Sequence, residues 1–137
     1  MRIVVVAEAE INPTEIRERV KEALTNLFSG EVEIQGEIDD YGSAKLVGEG
    51  HGSLERFRMI LQRDRIRAAA RAQLFRGTTE SRIVVFLNKQ VAYAGHVSFC
   101  APEGESPLGP IRLTIESSNP VGVIDWITGG YEPRVKR

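Results

Sequence analysis

The chain has little of what metal, disulfide and nucleophilic chemistry need. Cys100 is the only cysteine among 137 residues, so no disulfide can close within the chain, and so low a thiol content fits a reducing, cytoplasmic setting. His51 and His96 are the only histidines. A structural zinc takes four ligands at recognisable spacings. His96 and Cys100 lie four apart in an expected strand, which separates them by ~13 Å at ~3.3 Å per residue. The same poverty argues against a Cys–His nucleophile, and Asp39-Asp40 is a hydrated pair in a turn rather than a converging acid–base couple. Neither a cofactor, a metal, a catalytic set nor a small-molecule substrate is indicated. Long apolar runs are also missing: MRIVVVAEAEI is broken by Glu8 and Glu10, too short and too acidic for a signal peptide or a membrane span. Gly48-Glu49-Gly50-His51-Gly52-Ser53 precedes a helix start, where backbone N–H groups hold anions. It lacks the Gly-Lys-Ser/Thr ending of a P-loop and carries Glu49 with the wrong sign, so it reads as a flexible loop or bulge. With no repeat, linker or low-complexity tract, residues 1–137 read as one domain, long enough for its own core, with Tyr131–Arg137 a frayed tail.

What is present is an uneven charge. The net value of −1 hides a division into three: residues 1–52 hold five Lys/Arg against eleven Asp/Glu, residues 53–91 nine against three, and residues 92–137 four against five. A polyanion binder without excess charge must work through a local basic patch, and Ser53–Val91 is that patch. The same asymmetry also suits two copies of the chain meeting basic face to acidic face.

Hydrophobic periodicity predicts the elements. Arg2–Ala9, with Val4, Val5 and Val6 consecutive, reads as a strand. Asn12-Pro13-Thr14-Glu15 has the spacing of a capping box with proline at the first helical position, ahead of the apolar face Ile16, Val20, Ala23, Leu24 and Leu27, closed by Gly30. Val32 to Ile38 alternates with acidic residues, and Ser43–Val47 returns after a turn at Asp39–Gly42. A helix from near Ser53 has Leu54, Phe57, Leu61, Ala68, Ala72 and Phe75 along one side. Asp64 falls on that side and marks a bend or the cap of a second helix. Ser81–Leu87, Gly95–Cys100 and Ile111–Glu116 read as strands, Asn88-Lys89-Gln90 as a turn or one helical turn, and Asn119-Pro120 as the start of a last helix. The order βαββα(α)βββα implies an α+β fold, helices on one face of a mainly antiparallel sheet. The opposite sheet face must then be polar or covered, for instance by a second subunit.

On a continuous helix Arg56, Arg63 and Arg67 share a side, with Arg71 at its edge. Guanidinium forks match phosphate oxygens and stack on bases, so such a face suits the backbone of an RNA. It reads equally as a solvated or subunit-contacting face whose stems cover apolar surface, because Ile60 and Leu74 fall within it. Asn88, Lys89 and Gln90, at a strand end, offer phosphate or base-edge contacts, or simply fix the local turn. Tyr93, Trp126 and Tyr131 can stack on bases or serve the core.

Several segments carry a family resemblance in their order and spacing: the Arg-rich Leu54–Leu74 pattern, Phe86-Leu87-Asn88-Lys89-Gln90, Gly95-His96-Val97-Ser98-Phe99, and Glu105-Ser106-Pro107-Leu108-Gly109-Pro110-Ile111. Together they resemble UPF0201, an uncharacterised archaeal-only family, over nearly the whole chain. The one departure is Val91, where a small alanine is expected. The resemblance implies a fold like the L-five type of large-subunit ribosomal protein, a homodimer, and an RNA-binding-like label without a catalytic residue. The expectation is a non-enzymatic RNA- or ribonucleoprotein-associated module. The alternative is a structural or protein-interaction homodimer with no nucleic-acid partner. An enzyme would need a concave site gathering Asn88, Lys89, His96 and an acid.

Overall fold

A computed structural model describes residues 2–104 and 108–129. The expected tail Tyr131–Arg137 and the segment Glu105–Pro107 lie outside the described residues.

Among the described residues, in chain order, are β1 (Ile3–Ile11), α1 (Arg17–Leu27), β2 (Glu31–Gln35), β3 (Gly42–Glu49), a 3-10 turn (His51–Leu54), α2 (Glu55–Arg63), α3 (Arg67–Arg76), β4 (Thr78–Thr79), β5 (Arg82–Asn88), α4 (Lys89–Tyr93), β6 (Pro110–Ser117) and α5 (Pro120–Ile127). The strands form one sheet in the order β2-β3-β1-β6-β5-β4, every neighbouring pair antiparallel. The α+β class with helices on one face is therefore what the chain adopts.

Alternation sets the two faces of the sheet. Ile3, Val5, Ala7, Ala9 and Ile11 of β1 are buried, as are Ala44 and Leu46 of β3, Ile111, Leu113 and Ile115 of β6, and Ile83, Val85 and Leu87 of β5. They form one cluster with the helix residues Val20, Leu24, Leu27, Phe57, Leu61, Leu74 and Ile124. Each large side chain so buried contributes ~1.5–3 kcal/mol over its exposed state. The intervening residues point to a face that no helix covers among the described residues.

Local chemistry explains the boundaries, and some depart from the periodicity. α1 begins at Arg17, not at Pro13: the Asn12 backbone N–H donates to Glu15 Oε1 at 2.9 Å, but Glu15 N–H closes a tight turn on Asn12 O first, and Ile16 is left exposed. β2 stops at Gln35 because Gly36 takes φ 103°, and a Cβ there would lie 2.6 Å from Gly42 Cα, so Ile38 falls in the turn and is exposed. Gly95–Cys100 is not a ladder strand. Ser98 O accepts from Asn88 N–H and Cys100 N–H donates to Phe86 O, a single bridge that covers the edge of β5 beyond the two-residue β4. Asn88 and Asn119 cap α4 and α5 through their side-chain oxygens.

The largest departure concerns the arginine-rich stretch. α2 ends at Arg63, Asp64 follows with ψ near 0°, and Arg65 turns into the left-handed region at φ 58°. α3 therefore restarts with a new rotational phase. Ala70 and Leu74 become its buried residues, while Ala68, Ala72 and Phe75, expected inside, are exposed.

Candidate nucleic-acid interface

The phase reset divides the expected row of arginines between two places. Arg56 and Arg63, two turns apart on α2, lean toward α1 and α4. Arg56 Nη1 donates to Thr25 O at 2.6 Å, and Arg63 Nη2 donates to Gly95 O at 2.8 Å. Between them lies an open groove of about 550 Å³, with Ile60 among its lining residues and Asn26, Met59 and Tyr93 at its sides. Asn26 Nδ2 donates to Ala92 O and Tyr93 O, which holds the end of α4 against α1, and Arg19 lies 5.7 Å from the Tyr93 ring centroid.

Arg58, Arg67 and Arg71 turn the other way, to the C-terminus of α5. Arg58 Nε donates to Trp126 O at 2.9 Å, Arg67 Nη1 to Gly129 O at 3.3 Å, and Arg71 Nη1 to Thr128 Oγ1 at 3.2 Å, with an ion pair to Asp125 Oδ1 at 2.7 Å. The last carbonyls of a helix have no partner within it and carry its negative pole, so three guanidinium groups there satisfy and neutralise that end. Trp126 packs between Arg58, 5.1 Å from its ring centroid, and His51 at 4.6 Å between ring centroids.

Charge balance differs between the two groups. Among the described residues Arg56 forms no ion pair with a carboxylate; its carbonyl hydrogen bond orients the group and leaves the positive charge intact. Arg63 is paired with Asp64, Nε to Oδ1 at 2.9 Å, and His96 Nδ1 lies 2.8 Å from Asp64 Oδ2. The Arg63 hydrogen bond first, and then that of His96, hold the Asp64 carboxyl down at about 2.

Lys89 is not a surface cation. It is 3% exposed, and its ammonium donates to Glu10 O at 2.7 Å, Leu108 O at 2.8 Å and Glu15 Oε1 at 3.0 Å. An ammonium has three protons, so none is left for a ligand. The lysine pins the end of β1, the start of α1 and the Leu108 segment to α4. Asn88 is the cap of α4, and Gln90 is exposed at the rim of a smaller cavity of about 290 Å³ that Lys89 and Tyr93 also line. Asn88 and His96 are not among the residues lining that cavity, so the set proposed for an enzyme is not gathered there. Among the described residues no three His, Cys, Asp or Glu side chains converge as a metal site would need. Periodicity missed Asn26 and Met59 as groove walls, because nothing in α1 alone marks which flank meets α4.

An α+β sheet with a basic groove on its helical side is the class these observations define. A family model described as RNA binding matches residues 4–117. A UPF0201 protein of Sulfurisphaera tokodaii is 40% identical over 126 residues, covering 90% of this chain and 86% of that protein. One from Aeropyrum pernix is 41% identical over 130 residues, covering 92% and 85%. The crystal structure of the UPF0201 protein from Methanococcus jannaschii superposes with a TM-score of 0.81 at 28% identity, covering 91% of this chain and 98% of that one. The chain belongs to the archaeal UPF0201 family. No helix among the described residues is long and apolar enough to cross a membrane.

Proposed function

We propose that this protein is a non-enzymatic, cytoplasmic RNA-contacting module that works as a homodimer and grips phosphates with Arg56 and Arg63 at the two ends of the α1–α2–α4 groove. The observation that carries the proposal is the state of Arg56: exposed, oriented by Thr25 O, and paired with no carboxylate among the described residues. Arg63 contributes a second guanidinium about 10 Å along the helix at ~1.5 Å per residue. Tyr93, 40% exposed beside the groove, offers a ring on which a base stacks. Gln90 is an exposed polar group at the neighbouring smaller cavity, which Tyr93 also lines. Arg67, Arg71, Asn88 and Lys89 serve the architecture that holds these groups. The uncovered sheet face supports the dimer, and the lone thiol supports the cytoplasm.

An architectural dimer with no nucleic-acid partner is favoured by a different observation: Lys89 and Arg71 already meet Glu15 and Asp125 within the chain. Titration of a fluorescently labelled hairpin RNA with a single-stranded loop, at several salt concentrations, separates the two. RNA contact predicts binding near ~50 mM salt, with log affinity falling against log salt by about 0.7–0.9 per phosphate neutralised. Absence of binding at that salt leaves the architectural dimer.

A further inference from the structure

The face of the sheet that no helix covers among the described residues carries an ordered pattern across its strands. The ladder aligns Glu33, Lys45, Glu8 and Arg112 from β2 to β6, a row of alternating sign that ends at Phe86 on β5. Two residues along, Val47, Val6, Thr114 and Val84 form a mainly apolar row. The next row runs Glu49, Val4, Glu116, Arg82. Val47 is 39% exposed, and Val4, Val6, Val84 and Phe86 are half-buried.

Arg82 and Glu116 close an ion pair at 2.8 Å, whereas Lys45, Glu8 and Arg112 stand as cross-strand neighbours without closing one among the described residues. Glu49 is likewise taken, by Arg2 at 3.0 Å. Oppositely charged side chains left apart in the first row, beside the apolar stripe, suit a surface that lays the same row against them. The rows carry more carboxylates than cations, so a polyanion is repelled from this face and a self-complementary protein surface is not.

We infer that this face is where a second copy of the chain docks, sheet against sheet, about a two-fold axis running along the strands between β1 and β6. This rests on the homodimer proposed above and assigns its contact. Such an axis lays β1 over β6 and β3 over β5 of the second copy. Glu8 then meets Arg112 and Val47 meets Val84, each contact occurring twice as an isologous interface requires. Stacked sheets sit ~10 Å apart and cross near 30°, so register holds best at the central strands, where Glu8 and Arg112 lie. Five strands ~4.8 Å apart and ~7 residues long at ~3.4 Å give a flat footprint of roughly 600 Å² per copy, approaching the ~800 Å² per partner of a specific interface.

The test is sedimentation equilibrium on the full chain with two charge reversals. Glu8→Arg alone faces Arg112 in both contacts, and Arg112→Glu alone faces Glu8, so each variant associates at least tenfold more weakly than the wild type, because like charges across an interface cost several kcal/mol. Mixed in equal amounts, the two variants form a heterodimer in which both contacts pair opposite charges, and association returns. A rearrangement inside one chain cannot produce that recovery. Wild-type protein that stays monomeric to ~100 µM, far above the Kd of a stable dimer, overturns the homodimer and this interface together. A dimer indifferent to both reversals, or variants whose mixture stays monomeric, overturns the interface alone. Circular dichroism checks that each variant is folded; if one is not, Val47→Lys on the same face replaces it, with a folded monomer expected and a persistent dimer overturning the assignment.

Discussion

The two groups of arginines come from one short stretch of chain and do different work. Arg58, Arg67 and Arg71 close the end of α5, where carbonyls, a hydroxyl and Asp125 take up their donors. Arg56 and Arg63 flank a groove, anchored by carbonyls at Thr25 and Gly95, and of the two only Arg63 also meets a carboxylate, Asp64. Arg58 points away from them by its place around α2, and the left-handed residue Arg65 re-aims Arg67 and Arg71 downstream. A run of like charges therefore says little about a binding face until the helix phase is known. The availability of a cation depends on whether its partner is a carboxylate, which cancels charge, or a carbonyl, which only orients it.

The comparison can be broken most forcefully at its buried extreme. Lys89→Ala leaves Glu15 charged and enclosed, and urea denaturation is expected to register a loss of ~3–5 kcal/mol; a loss under ~1 kcal/mol would mean that the ammonium is not the pin described. Next comes the α5 clamp. Arg71→Ala removes charge-assisted hydrogen bonds from a half-buried helix end, and the expected destabilisation is ~1–2 kcal/mol with RNA affinity unchanged. At the groove the pattern inverts: Arg56→Ala moves stability by less than ~0.5 kcal/mol and lowers the salt slope of RNA binding by about 0.7–0.9.

The smallest effect is a pH dependence. Asp64 sits at about 2 when folded against an ordinary 3.8, so the stability it contributes is present above pH 3.8 and is lost as pH falls through about 2. Acid unfolding followed by circular dichroism should therefore become shallower in that interval for Asp64→Asn, and an unchanged profile would remove Arg63 and His96 as the cause.

Much of this architecture could be read from residue order, because the signals were local. Val4–Val6, the alternating Ile111–Ile115, the Asn119-Pro120 start and the helical turn after Asn88 each carry their own propensity or cap. The break near Asp64 was legible as a polar residue on an apolar stripe. Its consequence was not, since periodicity assumes one continuous helix and cannot be carried across a residue at positive φ. For the same reason Phe75 reads as core in the sequence and lies exposed in the fold. Gly95–Cys100 has strand-like residues, yet it meets only the far end of β5, where one bridge is all the remaining edge allows. The burial of Lys89 was illegible because its partners Glu10, Glu15 and Leu108 come from distant segments.

The central claim, that Arg56 at the groove keeps its charge for an outside anion while Arg71 at the clamp is spent on Asp125, is tested most directly by RNA affinity in two double variants measured side by side. With the labelled hairpin at fixed salt, Arg56→Ala/Arg63→Ala is expected to weaken binding by tenfold or more and to flatten the salt slope by roughly 1.4–1.8, while Arg67→Ala/Arg71→Ala stays within about twofold of wild type. Equal losses in both variants, or a loss confined to the second, would contradict it.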